Sequence, residues 1–555
     1  MKLKWLILSL FLSRLFANEN TVGLISSVPD RTWDGMTLFA PTMAKEAYLI
    51  DINGREVHQW NLDYFPGQAV YLEHDGHLLA TGMDTHRYFG GGGKGGVIQE
   101  YDWEGNVIWS FCYASSDVCQ HHDVERMPNG NILIIAWESK TRAEAIQAGR
   151  NPSTIRDGVL WPDHLIEIDR AGTIVWEWHV WDHLIQDYDP GKDHYGRVAD
   201  HPERIDLNYM SGNGRNDWTH FNSVDYHPEL DQIIVSVHEF SEIWIIEHTE
   251  NSELAAGHTG GRYGKGGDLL YRWGNPAAFK SGNETDRTLF QQHDAHWIPE
   301  NLEGAGHLLI FNNGGQRTPV SYSSVDEIWT PLNQDGTYDL TPGSFYAPFE
   351  LFWTYTADPP ESFMSSHISG AQRLPNGNTL ICAGAFGQFI EVTPDNKIVW
   401  NYINPVTDEG VLNQGESTTG RTGRGNNPVF RCYRYQTDGP ELAGLDLTPG
   451  DYIENYETAG IDQIPDIPEN PALDPCFPNP FNHSTRIRYH VAMESRVRLT
   501  VHNARGQQVA TLVDATQPAG DYTQRFDAEN LATGLYFIRI SMDAWTAEQK
   551  MLYIR

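Results

Sequence analysis

The chain has 555 residues, 40% of them hydrophobic and 12% aromatic, a globular composition too long for one ordinary core, so two or more domains are expected. A formal net charge of −35 argues against nucleic acid as a partner, because phosphate is bound by Lys and Arg, and suits solubility in an extracellular medium. The 51 glycines and 18 tryptophans favour many turns and a β-rich architecture.

The chain begins with Lys2 and Lys4, an apolar stretch from Trp5 to Leu12, and Ala17 at a cleavable position. This pattern predicts a secretory signal peptide over 1–17. The stretch is too short to span a bilayer, and no other segment has about 18 uninterrupted apolar residues, so a secreted or cell-surface protein without a transmembrane anchor is expected.

From residue 22 a unit recurs: an apolar-acidic strand, a turn with Gly or Asn, and a strand ending in Trp. It runs from Tyr48 to Trp60, from Ile98 to Trp109, from Leu165 to Trp176, from Ile243 to Trp273 across an insertion, in degraded form to Trp353, and from Phe389 to Trp400. A strand pair precedes most copies, with its turn clearest at Pro128-Asn129-Gly130-Asn131 and Pro375-Asn376-Gly377-Asn378. Asn-Gly predicts two-residue hairpin turns with both central residues at positive φ. Four strands repeated about six times predict a six-bladed β-propeller over 22–435. Each repeated Trp is expected to pack between neighbouring blades. The first unit is expected to find its missing strands around Asp34 to Phe39. Segments 138–163, 179–217 and 248–266 are insertions expected to shape the mouth of one face.

Four polar clusters stand just upstream of Pro128, Pro228, Pro299 and Pro375. Six residues before these prolines are His122, Asn222, His293 and Ser369; eight before are Gln120, His220, Gln291 and His367. Residues two apart share one face of a strand, and the innermost strand of each blade lines the channel, so His122, His220, His293 and His367 are expected to converge, with His238 following on the next strand and Arg317 in a nearby loop. Such a set fits three chemistries: a transition-metal site, an anion site for a group such as sulfate, or nucleophilic catalysis by one imidazole with charge-stabilising neighbours. Cysteine is sparse: Cys112 and Cys119 flank a short loop before His121, where a disulfide would fix the loop, and no cysteine spacing resembles a zinc site.

Residues 436–475 hold ten Asp or Glu and no Lys or Arg, which predicts an extended linker. Short alternating strands from 476 to 555, such as Val497 to Val501 and Leu535 to Ile540, predict a small immunoglobulin-like β-sandwich.

The motifs Asp34-Gly35-Met36-Thr37-Leu38-Phe39, His121-His122 with Pro128-Asn129-Gly130-Asn131, His220-Phe221-Asn222-Ser223-Val224 and Gln292-His293-Asp294-Ala295 resemble the bacterial arylsulfotransferase family over roughly 22–440. The resemblance implies a six-bladed propeller that moves a sulfuryl group from a phenolic ester to a phenol acceptor, without a nucleotide sulfate donor or other cofactor, by a ping-pong path through a sulfated histidine. It implies His293 as nucleophile, with His122, His220 and Asn222 as catalytic partners. The family's channel arginine falls on His238, a titratable group in place of a permanently charged one. His238, Arg317 and His367 are therefore the expected substrate binders, Arg317 supplying the lost charge. The runner-up readings are a non-catalytic surface propeller that binds a sulfated, phenolic or glycan ligand, and a metal-dependent hydrolase or lyase on the same histidines. The segments Phe477-Pro478-Asn479-Pro480-Phe481-Asn482, Val501-His502-Asn503-Ala504-Arg505-Gly506 and Leu531-Ala532-Thr533-Gly534-Leu535-Tyr536-Phe537 resemble type IX secretion C-terminal sorting domains, which implies the type IX machinery as a partner.

Overall fold

The computed structural model describes residues 20–209, 215–340, 343–418 and 426–455, and residues 471–554 except 474–475, 477–478, 480, 482–483, 494, 519, 529–530 and 543–544. The predicted signal peptide, residues 456–470 of the acidic stretch and part of the Phe477–Asn482 motif lie outside them. Among the described residues no helix is long and apolar enough to cross a membrane. The chain divides into two units, residues 1–457 and 458–555.

In the first unit the described strands build six main antiparallel sheets, five of four strands and one of five, where Gly23–Ser27 adds an outer edge beside Ile398–Ile403; two of the four-stranded sheets are joined by a single bridge between Gln68 and His122. Their innermost strands are β1 (Pro66–Leu72), β2 (Val118–Arg126), β3 (Phe221–His227), β4 (His293–Trp297), β5 (Gly370–Arg373) and β6 (Val429–Tyr435). Each inner strand touches the next, and β6 touches β1, so the ring closes: the fold is a β-propeller. The second and third strands of the sheets are buried on both faces. Ile132–Glu138, Gln232–Val237 and Glu242–Glu247 have no exposed residue, because each is packed between two neighbouring sheets. That position demands the continuous Ile/Val runs seen there.

The repeated Trp does more than pack. The indole N–H of Trp60 donates to the Asp102 carbonyl, Trp109 to Arg170, Trp273 to Pro348, Trp353 to Pro394 and Trp400 to Ile52, while Trp176 donates to the Thr249 hydroxyl. In every case the acceptor belongs to the following blade, and Trp400 returns to the first. Six clasps, each worth about 0.5–1.5 kcal/mol, thus run round the whole circle.

Three expectations need correction. Met36–Pro41 supplies one of the first blade's missing strands beside Glu46–Ile50, but the innermost does not come from that neighbourhood: β6, from the end of the unit, pairs with Met36–Pro41 and takes that position. The Asn-Gly turns are not two-residue turns with both residues left-handed. Gly130 and Gly377 have φ of 86° and 83°, but Asn129 and Asn376 do not share that geometry; Asn129 and Asn131 donate to Glu167, and Asn376 and Asn378 to Glu391. The acidic stretch also begins packed rather than extended. Leu442 is buried in the core beside Trp60, and Tyr452 and Asn455 form backbone bridges with Arg55 and Asn413.

The second unit is a β-sandwich. One sheet holds Ala472–Leu473, Ser484–Val491 and Gly520–Asp527; the other holds Gln508–Gln517, Ser495–Asn503, Gly534–Met542 and Trp545–Tyr553. Ile487, Tyr489, Val497, Leu499, Ile538 and Ile540 meet in its core, as the alternating pattern requires.

Candidate functional site

Near their beginnings the inner strands are irregular. β1, β2, β3 and β4 each carry a register shift. Around those shifts the chain holds non-glycine residues at positive φ: Gln68 at 119°, His122 at 52°, His220 at 56°, Gln291 at 59°, Asp294 at 55°, and on β5 the adjoining Ile368 at 48° and Ser369 at 91°. Left-handed non-glycine backbone costs about 1–3 kcal/mol per residue, and bulges re-aim side chains. Here the cost falls where the polar clusters stand.

The bulges break the two-residue periodicity that defined the clusters. His122, His220, His293 and His367 all line one cavity of about 640 Å³, and Gln120 and Asn222 do not. Gln120 is fully buried and accepts from the Gly96 amide. Asn222 is also fully buried; its Nδ2 donates to the Gln292 carbonyl at 2.8 Å, so it braces the backbone beneath His293 rather than facing the cavity. His238 lines the cavity as well. The rings form an arc, with centroid separations of 4.7 Å for His122–His220, 5.0 Å for His220–His238 and 5.3 Å for His238–His293. His367 stands exposed at the rim with Arg215.

Arg317 is not part of this arrangement. It lies over the Phe290 and Tyr322 rings and donates to the Tyr322 and Ser324 hydroxyls, so it does not restore the charge missing at His238. That charge is found at His220. Burial works against its imidazolium, but Asp217 in hydrogen-bonding contact with Nδ1, helped by Glu239 and Asp163, outweighs it and raises the pKa to about 9. Burial lowers His238, and it lowers His122 and His293 well below the usual histidine range, where neighbouring histidines add to the effect. Within the arc, His220 is therefore the cationic ring among neutral His122, His238 and His293.

His293 has a defined tautomer. The Asn313 amide donates through Nδ2 to the carbonyls of Ser365 and Ile368, at 2.8 and 3.0 Å. Carbonyls only accept, so Oδ1 is the atom that faces His293 Nδ1 at 2.7 Å. Nδ1 must carry the proton, and the lone pair is on Nε2. His121 sits behind the arc, stacked on Trp137 at 3.9 Å, with Nδ1 2.8 Å from His122 Nδ1 and Nε2 2.5 Å from Asp163. Burial pushes Asp163 up to about 7.

Sequence reasoning missed Asp217, Asn313 and the glycine run 90–93. Gly90 to Gly93 line the cavity, and a Cβ on Gly93 would lie 2.0 Å from the His122 ring; the run itself was the available signal. Asp157, Trp161, Arg215, Asn216 and Asp217 also line it, so insertions 138–163 and 179–217 do shape the mouth, whereas 248–266 contributes no lining residue. The Cys112–Cys119 bridge is absent. All five cysteines are free thiols; Cys112 is exposed, while Cys119 is buried against Phe89 and Trp137. Among the described residues, three potential metal-ligating side chains gather their ligand atoms within 4.8 Å at one place, and it is not this cavity.

A family model described as Arylsulfotransferase (ASST) matches residues 21–414, and one described as Secretion system C-terminal sorting domain matches residues 475–554. No curated protein matches the chain. Similar solved structures include a protein of unknown function from Bacteroides caccae, 11% identical with a TM-score of 0.39, covering 72% of this chain and 99% of that one. A streptogramin B lyase is 11% identical with a TM-score of 0.34, covering 76% of this chain and 95% of that one. A virginiamycin B lyase from Staphylococcus aureus is 10% identical with a TM-score of 0.33, covering 70% and 86%. Likeness at this level carries no argument about chemistry.

Proposed function

The chain belongs to the arylsulfotransferase family, and from that premise we propose that it transfers a sulfuryl group from an aryl sulfate ester to a phenol through a covalent intermediate on His293. The family match supports a sulfotransferase-type function at the coarse level, and the sorting domain implies secretion or the cell surface, with the type IX machinery as partner. The observation that carries the finer reading is the pairing of a neutral, tautomerically fixed His293 with a cationic His220 in one cavity.

The Nε2 lone pair of His293 attacks sulfur, forming an N–S bond as the S–O bond to the aryl oxygen breaks. The leaving phenolate takes a proton from the His220 imidazolium, whose pKa of about 9 stands close to that of a phenol, about 10. His238 and His122 flank the transferring group and can donate to its oxygens. In the second half the acceptor phenol returns its proton to neutral His220, its oxygen attacks sulfur, and the N–S bond breaks, regenerating neutral His293. Asn313 and Asn222 position His293, one by its tautomer and one by its backbone; Asp217 keeps His220 charged.

The test is turnover of 4-nitrophenyl sulfate with and without phenol. Acceptor-dependent release of nitrophenol that persists with chelator and disappears in His293→Ala is expected. An absence of release, or release unchanged in His293→Ala, contradicts the proposal and favours a ligand-binding propeller; loss on chelation favours the metal-dependent reading.

A further inference from the structure

Away from the cavity, the 248–266 insertion returns to the outer edges of the third and fourth blades. His183 ends a short 3₁₀ turn, Val180–His183, that follows the outer strand Ile174–His179. His258 follows the helical turn Ser252–Ala255, and Asp268 stands three residues before the start of the outer strand Tyr271–Trp273. Their ligand atoms lie within 4.8 Å of one another. His183 Nδ1 is 2.8 Å and His258 Nδ1 2.9 Å from the same oxygen, Asp268 Oδ1.

The surrounding bonds define which atoms are available. His183 Nε2 is 2.9 Å from the Ala255 carbonyl, which can only accept, so Nε2 carries a proton. His183 Nδ1 and His258 Nδ1 both face Asp268 Oδ1, so two imidazole nitrogens and a carboxylate oxygen converge on one point that a cation can occupy. The other carboxylate oxygen, Oδ2, is taken by Arg204 Nε at 3.0 Å, which leaves Oδ1 for that cation. A ligating imidazole whose second nitrogen donates to a backbone carbonyl, beside a ligating carboxylate held by its own hydrogen bond, is the outer shell that metal sites use to orient their ligands. The backbone also closes tightly here. A Cβ on Gly267 would lie 1.9 Å from the Ala255 carbonyl oxygen and 2.9 Å from His183 Cε1, so only glycine lets the insertion press His183 into place.

We infer that His183 Nδ1, His258 and Asp268 Oδ1 bind a divalent transition-metal ion, zinc by donor set, which pins the 248–266 insertion to the blades. Two imidazoles and a carboxylate, with water in a fourth position, are a donor set zinc accepts. Bonds of about 2.0–2.1 Å at a tetrahedral angle want ligand atoms roughly 3.3 Å apart, so the pairs at 2.8 and 2.9 Å open slightly on binding. The exposed His258 ring, with 41% of its side-chain surface accessible against none for His183, is the ligand free to move. The ion would be structural and independent of the sulfuryl-transfer proposal, because none of the three residues lines the cavity.

The test uses the full chain, equilibrated with micromolar zinc chloride, dialysed against metal-free buffer and analysed for metal by mass spectrometry. One zinc per chain is expected for the wild type and for His201→Ala, an exposed nearby histidine that pairs with Glu203 instead. Less than about a tenth of that is expected for His258→Ala, whose surface position leaves the fold intact. Chelator should lower the melting temperature of the wild type and leave that of His258→Ala unchanged. A wild type that retains no zinc, as it would if a proton alone sits between His183 and Asp268, or a His258→Ala protein that retains as much as the wild type, overturns the inference.

Discussion

At one end of the channel His122, His220 and His293 face a cavity that opens past exposed Arg215 and His367. A few residues further along the same strands, Asp123 and Asp294 are buried around Arg431, which pairs with them at 2.8 and 3.1 Å and donates to the Asn222 carbonyl. Tyr71 donates to Asp123, and Asp294 accepts from the Ala371 amide. One guanidinium on β6 thereby ties in every other inner strand. Beyond it burial pushes Asp225 up to about 6 and Glu125 well above the usual carboxylate range. The two ends share a scaffold but divide the work. Strained backbone and converging imidazoles gather at the mouth, and compensated charge gathers at the plug, where it closes the ring.

This contrast is tested first by removing one member of each end. His293→Ala should lower kcat by about 10³–10⁴-fold or more, as loss of a covalent nucleophile does, with little change in the urea midpoint. A comparable loss of stability would mean that the mouth is structural too. Arg431→Met leaves Asp123 and Asp294 buried without their cation, and breaking such a pair costs about 3–5 kcal/mol. Urea denaturation should show that loss while the unfolding slope stays constant, and an unchanged midpoint would remove the plug from the account.

Asp217→Asn sharpens the mouth alone. It withdraws the charge that raises His220, so kcat should fall about 10–100-fold at neutral pH, and the alkaline limb of the pH profile should move down from about 9. The sign for stability follows. His220 is raised in the folded state, so its contribution is fully present below about 6.5 and is lost as pH rises through about 9. The wild-type melting temperature should decline over that window and the Asp217→Asn protein should not. The smallest effect concerns neither end: Trp109→Phe removes one of the six clasps and should cost about 1 kcal/mol without touching activity.

The fold was legible because its signal repeats. Trp60, Trp109, Trp176, Trp273, Trp353 and Trp400 mark one position in six sheets, and a residue that must meet the next blade is constrained the same way each time. The closing strand was not legible, since β6 pairs with Met36–Pro41 across nearly the whole unit and no local pattern records that. At the mouth, the histidines announced themselves by their common distance from a proline, but left-handed residues at the bulges decided which of each pair faces the cavity. Arg317 was misplaced because Tyr322 and Ser324, a few residues on, capture its guanidinium. Asp217 and Asn313 act through contacts that only folding creates. The separation of His183 from His258 and Asp268 likewise hid their meeting, which depends on an insertion returning to the blade edge.

The central claim is that His293 carries the sulfuryl group between donor and acceptor. Rapid mixing of the full chain with 4-nitrophenyl sulfate, with no acceptor present, followed by mild alkaline quenching and peptide mass analysis, tests it directly. The account predicts a burst of one nitrophenol per chain and one SO₃ group on the peptide that contains His293, discharged when phenol is added. A chain that turns over in steady state with no burst, or that carries the group on another residue, contradicts it.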